Sequence, residues 1–337
     1  MSQNAKENLI TQPPARSLFF FALPMIIGNL FQQFYNMADS VIVGKLVGED
    51  ALAAVGASYS FTTVFIMIAI GGGIGASVLT SQYLGAGKHR EMKSSAYTFL
   101  ITFAVFSTIL AVLGFFINPA ILRMLKTPDN IMEDAVAYLQ IYFVGLPFMF
   151  MYNILSANFN ALGRSKIPLW LLIFSSILNI VLDLWMVGTL GLGVSGAAAA
   201  TVIAQGIAAV ISFVILMRLL ATYKTEGRVA CFRSDMFVTG VQIAIPSIVQ
   251  QSIVSIGMLL TQSAVNQFGS SALAGYSAGI RLESICIVPM IATGNAMSTF
   301  RARAAGVSCG VWHYHCVWRC DCCGVTVVLC PHFVGFC

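Results

Sequence analysis

The chain has 337 residues, of which 58% are hydrophobic and 9% charged, against roughly 25% charged in a soluble domain. A soluble protein of this length would need far more polar surface, so a polytopic membrane protein is expected. The formal net charge of +5 is small and its basic residues are scattered over short loops, which excludes a nucleic-acid-binding surface.

Residues 1–15 are polar, include Pro13-Pro14, and read as a cytoplasmic N-terminus. No cleavable signal peptide is visible, because the first apolar stretch is too long and runs straight into a spanning helix. A spanning helix needs roughly 20 apolar residues. Eight candidates follow, near 17–44, 51–83, 93–117, 132–161, 167–188, 195–220, 236–266 and 271–300. Several exceed the minimum, so tilt or extension past the bilayer is expected. The fold class is therefore an all-α polytopic membrane protein. With the N-terminus inside, eleven basic residues face the cytoplasm: Lys6, Arg16, Lys88, Arg90, Lys93, Arg164, Lys166, Arg218, Lys224, Arg228 and Arg233. Only Lys45, Arg123 and Lys126 fall outside, a bias that predicts this orientation.

The charged stretch 223–235 follows the sixth span and reads as a cytoplasmic linker between a six-span half, 16–222, and a two-span piece, 236–300. An internal repeat supports the division. Ala22-Leu23-Pro24 is echoed by Ala244-Ile245-Pro246. A shift of 221 residues then matches Gly48 with Gly269, Ala51-Leu52-Ala53 with Ala272-Leu273-Ala274, Gly73 with Gly294, and Ser77 with Ser298. Six spans lie within one period, and an even number keeps the copies in one orientation, as in parallel-repeat transporters.

Charges inside spans are costly and are functional candidates. Here they are Asp39 in the first span, Asp183 in the fifth, and Arg281 with Glu283 in the eighth. Gln32, Asn36 and Asp39 share one helical face, and so do Asn179 and Asp183. Two such carboxylates, helped by amide and hydroxyl oxygens, suit a proton or a hard monovalent cation. The plainer alternative is that each sits near a helix end and touches water. Pro24 and Pro246 each remove a backbone donor within a span and can bend it. Small residues at Gly71-Gly72-Gly73-Ile74-Gly75-Ala76-Ser77 and from Ser195 to Thr201 predict close helix approach. The glycine run is not a phosphate loop, since no strand precedes it and no Gly-Lys-Ser/Thr follows.

Several segments together resemble the multidrug and toxic compound extrusion (MATE) family over about residues 15–300. They are Phe31-Gln-Gln-Phe-Tyr-Asn-Met-Ala-Asp-Ser40, Gly48-Glu-Asp-Ala-Leu-Ala-Ala-Val-Gly56, Ser81-Gln-Tyr-Leu-Gly-Ala-Gly87, Ala161-Leu-Gly163 with Pro168, Asn179-Ile-Val-Leu-Asp183, and Gly193-Val-Ser-Gly-Ala-Ala197. The resemblance implies two six-helix lobes around a central cavity. It implies export of cationic or amphipathic drugs in exchange for protons or sodium ions, with no cofactor and no catalytic residue. It places a coupling site at Asp39, Asn179, Asp183 and Thr201, beside which the polar face with Gln32 and Asn36 and the bend at Pro24 read as supporting cavity or bend residues. It implies a bacterial inner-membrane protein, monomeric, whose partners are small-molecule drugs or organic cations and the bilayer, with no nucleic acid.

The pattern departs from the family after Ser298-Thr299-Phe300, where a second Gln-x-x-Gly-Ala-Gly and four more spans are expected. The chain instead reads Arg301-Ala-Arg-Ala-Ala-Gly306 and enters a tail holding seven of its nine cysteines. That tail, 301–337, reads as an out-of-frame continuation, and the chain by itself is not expected to transport. Adjacent Cys322-Cys323 fits no zinc template. Two rival readings remain, a flippase for lipid-linked sugars of the same superfamily and a non-transporting membrane remnant. An enzyme is disfavoured, because neither an Asp-Asp-x-x-Asp nor a His-Glu-x-x-His motif is present.

Overall fold

The structure is a computed structural model, and it describes residues 14–124, 129–225, 227–266, 289–290, 292–297 and 299. The expectations for residues 1–13, for most of the eighth span with Arg281 and Glu283, and for the Cys-rich tail lie outside the described residues. Every regular element described is helical. The helices are α1 (Pro14–Leu46), α2 (Glu49–Gly85), α3 (His89–Met124), α4 (Asp129–Ala161), α5 (Lys166–Asp183), α6 (Gly193–Ala221) and α7 (Ser234–Asn266). They follow the first seven expected spans. Two ends differ: α3 runs past its expected end through Pro119, and α5 stops at Asp183, where a π-helical turn, Leu184–Thr189, continues it.

Among the described residues, five segments are long and apolar enough to cross a membrane: Thr62–Gly85, His89–Arg123, Ile131–Ala161, Lys166–Thr189 and Gly193–Ala221. The chain is a multi-pass membrane protein. Helices α1 and α7, at 33 residues each, are long enough to span, but Gln32, Gln33, Asn36 and Asp39 on α1 and Gln250 and Gln251 on α7 dilute their apolar character.

Helix α5 shows how an apolar solvent arranges the fold. Its inward face is polar: Ser175, Ser176, Asn179 and Asp183 are buried. Its outward face carries Trp170, Phe174, Ile177 and Val181, all exposed. An apolar stripe of this size would be a liability in water. In a bilayer it faces lipid tails, and polar groups turn inward where partners exist.

Lipid tails are as apolar as leucine, so close packing holds the helices together. Helix α4 lies at the centre, against α2, α3 and α6, and buries Leu139, Phe143, Leu146, Phe150, Ile154 and Phe159 completely. Phe65 meets Phe143 edge to face, with ring centroids 5.4 Å apart. Glycine notches receive the large side chains: Gly114 faces Phe143, Gly72 faces Phe103, and Gly240 faces Phe99.

At the end of the bundle holding the α2–α3 turn, hydroxyl and amide groups tie three helices together. Thr80 on α2 is 3.2 Å from Ser95 of α3 and donates to Asn158 Oδ1 of α4 at 3.5 Å. The segment between α6 and α7 lies across the start of α3. Arg90 Nε donates to the Arg228 carbonyl at 3.0 Å, the Arg233 backbone N–H donates to Thr98 Oγ1 at 3.1 Å, and Lys93 Nζ donates to Thr225 Oγ1 at 3.5 Å. Arg233 forms a two-pronged ion pair with Asp235, which holds the Asp235 carboxyl below the usual carboxylate range.

Helix α7 closes on α2 through a seam of small residues. A Cβ added at Gly75 would lie 2.6 Å from the Gly240 carbonyl and 3.1 Å from Ala244 Cβ, whereas one at Gly257 would meet nothing within 4 Å. We expect Gly75→Ala to cost about 1–3 kcal/mol through overpacking, seen as a lower Tm of the detergent-solubilised chain. Gly257→Ala should be neutral or stabilise by about 0.5–1 kcal/mol, because alanine is the better helix former.

Candidate functional site

Helical spacing alone places Tyr35 beside Asp39 on α1, and Asn179 beside Asp183 on α5. Tertiary packing then joins them. The Asp39 and Asp183 carboxyls meet within hydrogen-bonding reach of each other. Asn179 and Thr201 bridge α5 to α6: the amide orientation that satisfies both its ends has Nδ2 donating to Asp183 Oδ2 at 2.8 Å and Oδ1 accepting from Thr201 Oγ1 at 3.1 Å. Tyr35 is hydrogen-bonded to Thr201, and Tyr138 of α4 stands close to both aspartates. Four helices thus converge on one polar cluster. Asp183 and Asn179 are essentially inaccessible, at 0% and 1% exposure.

Two bare carboxylates about 4 Å apart repel by about 4 kcal/mol at an effective dielectric of about 20. Their contact therefore calls for a proton or a cation between them. Asp39 Oδ1 and Asp183 Oδ1 are both buried without a hydrogen-bond partner among the described residues. Those two atoms and Thr201 Oγ1 are hard oxygens of the kind that a proton or an alkali cation takes.

The structure brings together Asp39, Asn179, Asp183 and Thr201. It puts Pro24 and Gln32 elsewhere, on a cavity of about 140 Å³ between α1, α4 and α5 that Asn29, Asn153, Ser156 and Asn160 also line. Gln32 lies seven residues from Asp39, or about 10 Å along the helix. Asn36 is exposed on α1. Pro24 is buried within α1, which is helical on both sides of it. Sequence reasoning missed Tyr35 and Tyr138. Tyr35 carried a signal, four residues before Asp39; Tyr138 carried none, since it reaches the cluster only through the packing of α4.

The fold and this cluster define a class: a multi-pass α-helical membrane protein with an ionisable pair enclosed between helices. The family model described as MatE matches residues 24–185 and 246–308. The chain belongs to that family. It is 32% identical over 295 residues to YpnP of Bacillus subtilis (strain 168), named a probable multidrug resistance protein, covering 87% of this chain and 65% of the relative. It is 30% identical over 322 residues to YoeA of the same organism, also named a probable multidrug resistance protein, covering 91% of this chain and 69% of that one. The chain thus spans about two thirds of the length of these relatives. In fold it is similar to a structure titled as the outward-facing conformation of a multidrug resistance MATE family transporter, with a TM-score of 0.83 and 24% identity over 91% of this chain and 68% of that chain. A structure titled as MATE in the bent conformation gives a TM-score of 0.81 at 23% identity, again over 91% and 68%.

Removing the α5–α6 bridge should weaken the fold locally. Asn179→Ala leaves Asp183 Oδ2 without its donor, at a cost of about 1–3 kcal/mol for a buried group left unpaired. The check is a Tm drop in detergent, with the exposed Asn36→Ala as the comparison expected to change Tm little.

Proposed function

We propose that this chain forms the cation-coupled part of an efflux antiporter that exports cationic or amphipathic drugs in exchange for protons or sodium ions. The observation that carries the reading is the enclosed contact of Asp39 with Asp183, each with one oxygen directed at no partner. Family membership supports it, because curated relatives are named for multidrug resistance or export.

The mechanism follows from charge. A proton or sodium ion at the pair neutralises the repulsion between the carboxyls and draws α1 toward α5. Losing that cation frees two negative charges in an apolar surround, a state that a cationic drug relieves. Drug and coupling ion then favour different states of the bundle and exchange against each other. Asn179 holds Asp183 in place by a neutral hydrogen bond, and Thr201, bonded by Tyr35, holds Asn179. Helix α1, with Pro24 removing one of its backbone bonds, is the element that bends.

In a full-length context, with the remaining third of the family's length supplied by the Bacillus relative, Asp39→Asn should abolish ethidium export while leaving membrane insertion intact. Export at the parent rate by that variant would sink the assignment. Asp183→Asn should behave in the same way, because each carboxyl needs the other.

A further inference from the structure

One feature of α5 is not explained by the coupling site itself. The helix is regular up to Asp183 and then widens into the π-turn Leu184–Thr189. π-turns are rare, occur often at functional sites, and involve hydrogen bonds that reach one residue further than in an α-helix. The Leu190 N–H donates to the Trp185 carbonyl at 3.0 Å, a bond of that kind, and the Leu192 N–H reaches back six residues to the Met186 carbonyl at 3.1 Å, closing the end of the turn.

The surroundings hold this turn in place. Gly196 in the first turn of α6 lies directly beneath it: a Cβ there would sit 2.9 Å from Leu192 Cβ and 3.3 Å from the Met186 carbonyl. Val187 is buried in a small cluster with Val43, Ala51, Val194 and Ala197, and Tyr138 packs against that cluster. Val43 lies one turn beyond Asp39, and Tyr138 is the residue that stands beside both aspartates. On its other side, Gly188 abuts Leu46 at the end of α1, where an added Cβ would lie 3.4 Å from Leu46 Cδ1. The turn therefore touches the ionisable pair through Asp183 and Tyr138, and the far end of α1 through Val43 and Leu46.

We propose that the π-turn Leu184–Thr189, seated on Gly196, is the positioning element that carries a change at the Asp39–Asp183 pair to the outer end of α1. This rests on the reading of that pair as a cation site. Exchange of its long hydrogen bonds for ordinary helical ones shifts the register of the turn by one residue. Such a shift moves Gly188 against Leu46 without unfolding either helix. Among the described residues, the titratable groups facing Asp183 are Asp39 and Tyr35 on α1 and Tyr138 on α4, with Asn179 and Thr201 as neutral partners.

Trp185 lies within the turn, 54% exposed, and reports on it directly. The full chain carries three other tryptophans, so Trp170→Phe, Trp312→Phe and Trp318→Phe together leave Trp185 alone. The purified protein is titrated with acid, and separately with sodium chloride against choline chloride. Trp185 emission and the infrared carboxyl band that disappears in Asp39→Asn are followed together. The expected result is an emission shift in step with the carboxyl band, lost in Asp39→Asn, and lost or reduced in Gly196→Ala while the band still responds. Gly188→Val, which fills the contact with Leu46, serves as the second variant if Gly196→Ala does not fold, and should also reduce the shift. A carboxyl band that responds while Trp185 stays silent overturns the proposal and leaves the cation site standing. An emission shift undiminished in both glycine variants overturns it too. No response from either probe overturns the cation site, and the proposal with it.

Discussion

An apolar solvent cannot satisfy a polar side chain, and the arrangement of this bundle follows from that constraint. Helix α5 makes the point within a few turns: Ser175, Ser176, Asn179 and Asp183 face inward while Trp170, Phe174, Ile177 and Val181 face out. Once turned inward, each polar group needs a partner on a neighbouring helix. Asn179 finds Thr201 and Asp183, Thr80 finds Ser95 and Asn158, and Tyr152 donates to the Pro168 carbonyl. These bonds fix which helices are neighbours and in what rotation.

Glycine decides how near those neighbours come. Phe143 fits against Gly114, Phe103 against Gly72, and Phe99 against Gly240. The Gly114 notch lets α3 approach α4 closely enough to bury Phe143, and the other two seat α2 and α7 against α3. The position of α4 in turn sets Tyr138 beside the two aspartates. The polar cluster thus depends on packing that involves none of its own residues.

The cluster and the π-turn share Asp183. The residue ends the α-helix, meets Asp39, and begins the widened turn that reaches Leu46. A pair between a half-buried Asp39 and a buried Asp183 is of use to a transporter only if something moves when its charge changes, and a turn already off the regular helix is a place for such movement. The cavity holding Pro24 and Gln32 lies toward the opposite end of α1, so one helix carries the ionisable group at one level and a polar cavity beside a missing backbone bond at another.

The amino-acid sequence by itself determined the membrane class, seven helices close to where they lie, the shared face of Asn179 and Asp183 on α5, and three of the cluster residues. These are local matters: apolar run length and helical spacing place a residue on a face whatever the rest of the chain does. Thr201 came only through likeness to a family. The tertiary structure alone decided that Asp39 touches Asp183, that Tyr138 joins them, that Gln32 and Pro24 belong to a different cavity, and that α5 widens after Asp183. Those outcomes rest on how side chains of separate helices interdigitate, which sets crossing and register between helices and leaves no mark on the periodicity of any single one.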